Sequence, residues 1–110
     1  MSQPNEALDR TLAALADPDR RRAINLLREG PRSAGELAER IGLPAPAMSR
    51  HLRVLRQCGL VEQRHPEFDA RLRIYSLQPA PMAALRNWLD ETEAMWAAQL
   101  TSFKKHLEEH

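Results

Sequence analysis

One cysteine, Cys58, is all the thiol chemistry this chain has. It cannot close an intrachain disulfide, and a soft metal or arsenite needs two or three converging thiolates. A chain without disulfides is expected in a reducing compartment, here the cytoplasm. Glycine is scarce too, with four residues, three of them at expected helix ends or turns. No glycine-rich loop is left to cradle a cofactor's phosphates. No window approaches the roughly 18 apolar residues of a membrane span. The start, Met1-Ser2-Gln3-Pro4-Asn5-Glu6, lacks a signal-peptide pattern. No nucleophile–base pairing or set of paired acids stands out, so an enzyme is the poorest of the function classes. No cofactor is expected.

What is present is a globular composition, 43% hydrophobic and 28% charged, in 110 residues. That length fits one domain, here residues 1–110. The net charge of +1 conceals an uneven distribution. Up to Leu43, seven basic and seven acidic residues cancel. From Pro44 to Pro79, Arg50, Arg53, Arg56, Arg64, Arg71 and Arg73 face only Glu62, Glu67 and Asp69. From Ala80 on, acids outnumber bases. A basic middle third is what a phosphate-facing surface requires.

The periodicity predicts five helices and a hairpin. The first runs from about Asn5 to Ala16, with Leu8, Leu12 and Leu15 on one face. Asp17-Pro18 reads as an N-cap followed by proline at the first helical position. The second helix turns Ala23, Ile24 and Leu27 inward and is expected to stop at Gly30-Pro31, with a left-handed glycine cap. Ser33-Ala34-Gly35-Glu36 is a capping box opening the third helix, which buries Leu37, Ala38 and Ile41 and ends at Gly42. The fourth begins near Ala45 or Pro46 and reaches about Cys58, with Met48, Leu52 and Leu55 inward. Leu60–Arg64 and Arg71–Leu77 alternate like strands about a turn at 66–70. The last helix spans about Ala80 to Glu109.

Two short helices joined by a tight turn and followed by a basic hairpin are the parts of a winged helix-turn-helix. The fold expected is therefore mainly α with a β-hairpin: helix-turn-helix at about 33–58, wing at about 60–77, last helix at about 80–109. With Met48, Leu52 and Leu55 inward, Ala45, Pro46, Ser49, Arg50 and Arg53 fall on the outer face, where a recognition helix meets base edges and phosphates. Ser33, Arg71 and Arg73 complete the expected contacts to double-stranded DNA. His51, beside the inward stripe, is expected to fix the fourth helix by a hydrogen bond or to touch DNA, with pH sensing as the alternative. Two bland readings compete: a helical bundle whose arginines are a solvated face, and a winged-helix module that binds protein instead of DNA.

The runs Leu15-Ala16-Asp17-Pro18-Asp19-Arg20-Arg21-Arg22-Ala23-Ile24, Gly35-Glu36-Leu37-Ala38, Met48-Ser49-Arg50-His51-Leu52-Arg53-Val54-Leu55 and Gly59-Leu60-Val61 resemble the ArsR/SmtB transcriptional repressors. The resemblance spans roughly residues 8 to 100. It implies a homodimeric repressor on an imperfect inverted-repeat operator, released in many members by an inducer. The family's usual serine cap and glutamine at the head of the recognition helix are replaced by Pro44 and Ala45. Specificity is therefore expected to lean on Ser49, Arg50, methyl contacts from Ala45 and DNA shape. The hairpin turn is also more acidic than the family's usual wing tip, so Arg71 and Arg73 are expected to meet DNA from the strand.

The family's thiol pair before the recognition helix and its Asp/His/Glu ligands on the last helix both lack counterparts here, so no metal site is expected. Cys58 reads as a small buried hydrophobe, with redox sensing as the alternative. His106 and His110 stand i, i+4 but without a third ligand, as an exposed tail would. Met82, Leu85, Leu89, Thr92, Trp96, Leu100, Phe103 and Leu107 form a near-heptad stripe too long for one small domain to bury. Leu8, Leu12, Leu85, Trp88, Leu89, Trp96, Leu100 and Phe103 are the expected dimer interface, formed by the first and last helices. Alternatively, Trp88, Met95 and Trp96 line a pocket for a small apolar inducer.

Overall fold

The computed structural model describes residues 6–109. Among them the order is α1 (Glu6–Leu15), α2 (Pro18–Leu27), β1 (Arg32–Ser33), α3 (Ala34–Ile41), α4 (Ala45–Gln57), β2 (Val61–Arg64), β3 (Ile74–Leu77) and α5 (Pro79–Glu108). The expected start at Asn5 and His110, expected in an exposed tail, lie outside the described residues.

Local chemistry sets most boundaries. The Asp17 carboxylate accepts from the Asp19 and Arg20 amides at 2.8 and 3.2 Å, and Pro18 follows at the first helical position. Ser33 Oγ accepts from the Glu36 amide at 3.1 Å and opens α3. The other half of the expected capping box is diverted. The Glu36 carboxylate takes a hydrogen bond from Arg32 Nη1 at 2.9 Å. Gly42 (φ 83°) closes α3 in the left-handed conformation, and Gly59 (φ 75°) follows α4. The second helix ends at Leu27, with Arg28 still right-handed, so Gly30 (φ 143°) shapes the following turn instead of capping the helix.

The core joins α2, α3 and α4 through Ala23, Ile24, Leu27, Leu37, Ala38, Met48, Leu52 and Leu55, with Leu60, Val61 and Tyr75 contributed by the sheet side. These are the inward positions the helical period selects, except Ile41, which stays partly exposed. In α1 the buried residues are small, Thr11 and Ala14, while Leu12 is exposed. Of the leucine stripe of α1, Leu15 packs against this core, while Leu12 is exposed and Leu8 half-buried.

The sheet has three strands in the order β1-β3-β2, all antiparallel. The hairpin register pairs Val61 with Leu77 and Arg64 with Ile74. Strand β1, which the sequence pattern does not announce, pairs Arg32 with Tyr75 and ties the start of α3 to the hairpin. The third strand begins at Ile74, so Arg71 and Arg73 belong to the wing loop and not to a strand.

At 30 residues α5 is about 45 Å long at 1.5 Å per residue. It buries only Leu85. Leu85, expected at the dimer surface, is buried within its own chain.

Desolvation pushes the Asp17 carboxyl up, but the two amide bonds, His51 and Arg20 outweigh it and hold it below the ordinary aspartate value. A depressed carboxyl contributes stability that is complete above the ordinary value and is lost as pH falls through the folded one. Asp17→Asn, which keeps a capping oxygen, is therefore less stable than the wild type at neutral pH. The gap closes as pH falls below about 4. Thermal melts across that range check it, and a gap independent of pH would contradict the assignment.

Candidate nucleic-acid interface

Burial of Met48, Leu52 and Leu55, all 0% exposed, fixes the rotation of α4. Ala45, Pro46, Ser49, Arg50 and Arg53 are consequently exposed on its opposite side. Pro44 stands at the N-cap with no side-chain hydrogen bond, and Pro46 lies within the first turn. The head of the helix thus offers methyl and ring surface, while hydrogen bonding begins at Ser49. None of Arg50, Arg53, Arg71 and Arg73 enters an ion pair among the described residues. Unpaired guanidinium groups on a convex face are ready donors for phosphate or guanine.

The wing folds back toward the helix-turn-helix. Ala34 donates its amide to the Arg73 carbonyl at 3.4 Å, and Arg71 donates its own to Asp69 Oδ1 at 2.9 Å. Ser33, Ala34 and Gly35, at the N-terminus of α3, share a groove of about 220 Å³ with Arg71, Leu72 and Arg73. Three residues expected to meet DNA, Ser33, Arg71 and Arg73, are thereby brought together. Ser33 is committed through its hydroxyl to capping α3, so what it presents is the helix terminus. At the wing tip Phe68 is 85% exposed between Glu67 and Asp69.

The base of the wing is locked to α4. Arg56 Nη1 donates to Gln63 Oε1 at 2.7 Å, and the Tyr75 hydroxyl donates to the same oxygen at 3.1 Å. Arg56 is therefore a structural member of the basic run, which counting charges does not disclose.

His51 turns from the exposed face toward α2, where its Nδ1 lies 3.3 Å from Arg20 Nη1. Asp17, Asp19 and His51 each bring one potential ligand atom within 4.8 Å of the others. The electrostatics oppose a cation there. The carboxylates flank the positive end of α2, Asp19 is paired with Arg22 at 2.8 Å, and Arg20 approaches the ring nitrogen.

On α5, Trp88, Leu89, Trp96, Leu100 and Phe103 are exposed, as are Met82, Met95 and Leu107. Phe103 and Leu100 are each more than 60% open. With exposed Leu12 and half-buried Leu8 of α1, the residues expected at a dimer interface, apart from Leu85, are uncovered or partly so in one chain. No helix among the described residues is long and apolar enough to cross a membrane.

Known proteins share both sequence and architecture with this chain. The profile of the family described as "Bacterial regulatory protein, arsR family" matches residues 17–63, from the cap of α2 into the hairpin. The HTH-type transcriptional regulator Rv2034 of Mycobacterium tuberculosis is 40% identical over 86% of this chain and 83% of its own length. The transcriptional repressor SdpR of Bacillus subtilis is 28% identical over 74% of this chain and 88% of its own. Among solved structures, an ArsR-like transcriptional regulator from Rhodococcus sp. RHA1 superposes with a TM-score of 0.83 at 27% identity, covering 96% of this chain and 94% of that one. The sequence and the architecture of this chain thus recur in proteins of one kind. The chain belongs to the arsR family of bacterial regulatory proteins and is a DNA-binding transcriptional regulator with a winged helix-turn-helix.

Proposed function

We propose that this chain represses transcription as a homodimer, setting the α4 helices of two copies into successive major-groove turns of an inverted-repeat operator. The observation that carries the reading is the coexistence of two surfaces. One is the basic, unpaired face of α4 and the wing, and the other is the apolar face of α5, left open in a single chain. Ser49 and Arg50 read base edges, Ala45 and Pro46 supply apolar contacts, and Arg53 meets phosphate. Arg71 and Arg73 with the N-terminus of α3 seat the flanking phosphate, a helix terminus supplying backbone donors beside the two guanidiniums. His51 is then not a base reader. A protein-binding winged helix would expose apolar residues where Ser49, Arg50 and Arg53 stand, and this favours DNA. With genomic DNA as its partner, the protein acts in the cytoplasm.

Pairing of α1 and α5 with a second copy accounts for Leu8, Leu12, Trp88, Leu89, Trp96, Leu100 and Phe103 together. An inducer is compatible with grooves on either side of α1. One of about 530 Å³ is lined by Arg10, Ala13, Ala14, Arg20, Val54, Gln57 and Cys58. An apolar one of about 270 Å³ includes Leu8, Thr11, Cys58 and Pro81. Trp88, Met95 and Trp96 line neither, which favours their role in the dimer. Cys58 Sγ donates to the Val54 carbonyl at 3.0 Å, and desolvation by burial raises its pKa. A neutral, engaged thiol is a poor redox sensor.

Three measurements bear on this reading. Affinity for a duplex selected from random DNA falls linearly with salt on logarithmic axes, and Arg50→Ala costs about 1–3 kcal/mol if it reads a base. Binding indifferent to salt contradicts the DNA assignment. In sedimentation, the Trp96→Glu, Leu100→Glu double variant is monomeric where the wild type is dimeric, and it binds the duplex at least about tenfold more weakly because one reading helix replaces two. Cys58 alkylates more slowly than a free thiol at pH 7.5 and gains that reactivity in denaturant; equal rates in both states would return the redox reading.

A further inference from the structure

The C-terminal carbonyls of α1 lie beyond its i+4 ladder, with Ala13 O taking the Ala16 amide at 3.3 Å, and no basic residue occupies its last turn. Two arginines of the next helix reach back to supply the donors. Arg21 Nη1 donates to Leu15 O at 2.7 Å and Ala16 O at 2.9 Å. Arg20 donates through Nε to Ala14 O at 2.6 Å and through Nη2 to Ala13 O at 3.3 Å. Arg21 stops there. Arg20 has one more nitrogen, Nη1, and it lies 3.3 Å from Nδ1 of His51 on α4.

That third contact joins two elements with different tasks. Helix α1 packs against α5 and carries Leu12 outward. Helix α4 bears Ser49, Arg50 and Arg53, and His51 directly follows Arg50. The C-terminal part of α4 is already held to the wing through Arg56 and Gln63. Its N-terminal half has no side-chain cap at Pro44, and there the side-chain link is His51 to Arg20. A guanidinium suits the position because its planar fork sends donors to three acceptors in fixed directions, whereas an ammonium on a flexible stem does not. Since the guanidinium only donates, the contact is a hydrogen bond when the His51 ring is neutral with its proton on Nε2.

We propose that Arg20 and His51 are a positioning pair for DNA recognition. Without touching DNA, they set the reading half of α4 against the C-terminus of α1, so that the α1–α5 side of the molecule is mechanically connected to the reading face. The proposal rests on the DNA-binding reading of α4. Of the two readings of His51, fixing α4 by a hydrogen bond and touching DNA, it takes the first.

The test compares wild type, His51→Gln, His51→Leu, Arg20→Lys and the Arg20→Lys, His51→Leu double variant, all as full chains. The probe is the duplex selected by the wild type. Glutamine retains an acceptor, whereas leucine does not. His51→Leu and Arg20→Lys each weaken binding on the order of tenfold, as loss of a charge-assisted hydrogen bond does. The double variant is no weaker than the poorer single one. His51→Gln stays close to wild type, and the salt slope is the same in all five. A slope reduced by about one in His51→Leu would mean direct phosphate contact and overturn the proposal. Additive losses, or affinities that do not change, would overturn it as well.

His51→Leu leaves the α1 carbonyl cap intact, so it remains informative if Arg20→Lys fails to fold. Ring ¹⁵N spectra of the wild type and Arg20→Lys, recorded without DNA, test the link on its own. The His51 Nδ1 resonance moves in folded Arg20→Lys if the link exists and stays in place if it does not. Failure of the wild type to select any duplex would instead strike the DNA reading, while these spectra still decide the contact.

Discussion

Everything this chain presents to its surroundings depends on one packing constraint, the complete burial of Met48, Leu52 and Leu55 on α4. Spacings of four and three residues place the three side chains on one stripe, and a helix so anchored has a single rotation. A turn of one residue, about 100° for an α-helix, would bring Ser49 or Arg53 toward the apolar core, where an unpaired polar or charged group is costly. The exposure of Arg50 and Arg53 is thus a consequence of what their neighbours bury. Core and reading surface are two sides of one periodicity.

The arginines divide between building and binding, and their surroundings make the division. Arg20 and Arg21 spend their donors on carbonyls at the end of α1, Arg32 bridges Glu29 and Glu36, and Arg56 holds Gln63. Arg50, Arg53, Arg71 and Arg73 project from α4 and the wing, away from the acids that pair elsewhere. A net charge near zero is therefore compatible with a basic face, because twelve of the fifteen acids lie outside Pro44–Pro79. Charge placement, more than charge total, makes this a surface for a polyanion.

Most of the helical frame was legible in sequence because its signals are local. Asp17-Pro18, Ser33, Gly42 and Gly59 mark ends through chemistry that acts within a turn, and the inward stripes of α2, α3 and α4 follow from period alone. What was not legible depends on contacts distant in sequence. Strand β1 is two residues long and exists only because Ile74 and Tyr75 lie opposite it. The alternation through Arg71-Leu72-Arg73 looks like strand, yet turns built on Pro66 and Asp69 delay pairing until Ile74. In α1 the fully buried residues are the small Thr11 and Ala14, with Leu15 packed beside them only in part, which the leucine period does not disclose. For the site, the exposed face of α4 was readable. A hydrogen bond from His51 that fixes α4 was one of two readings the sequence left open, but its partner, 31 positions away, could not be named from it. The arginine run directly after Asp17-Pro18-Asp19 was the one available hint, being unusually basic for the start of a helix.

The last helix carries an apolar face that one chain does not cover. Thirty residues of helix bury a single leucine, while Trp88, Leu89, Trp96, Leu100 and Phe103 remain open to water. Uncovered apolar surface of this extent marks an association site, and a near-heptad stripe fits another helix better than a flat or hollow partner. The proposed inverted repeat calls for two reading heads. The proposed second copy would meet both demands at once, with α1 beside the surface that would pair. Arg20 holds the end of α1 with two donors and His51 with a third. Any event that shifts α1 against α5, whether dimerisation or a molecule entering the grooves beside it, reaches α4 through a side chain whose geometry allows little slack.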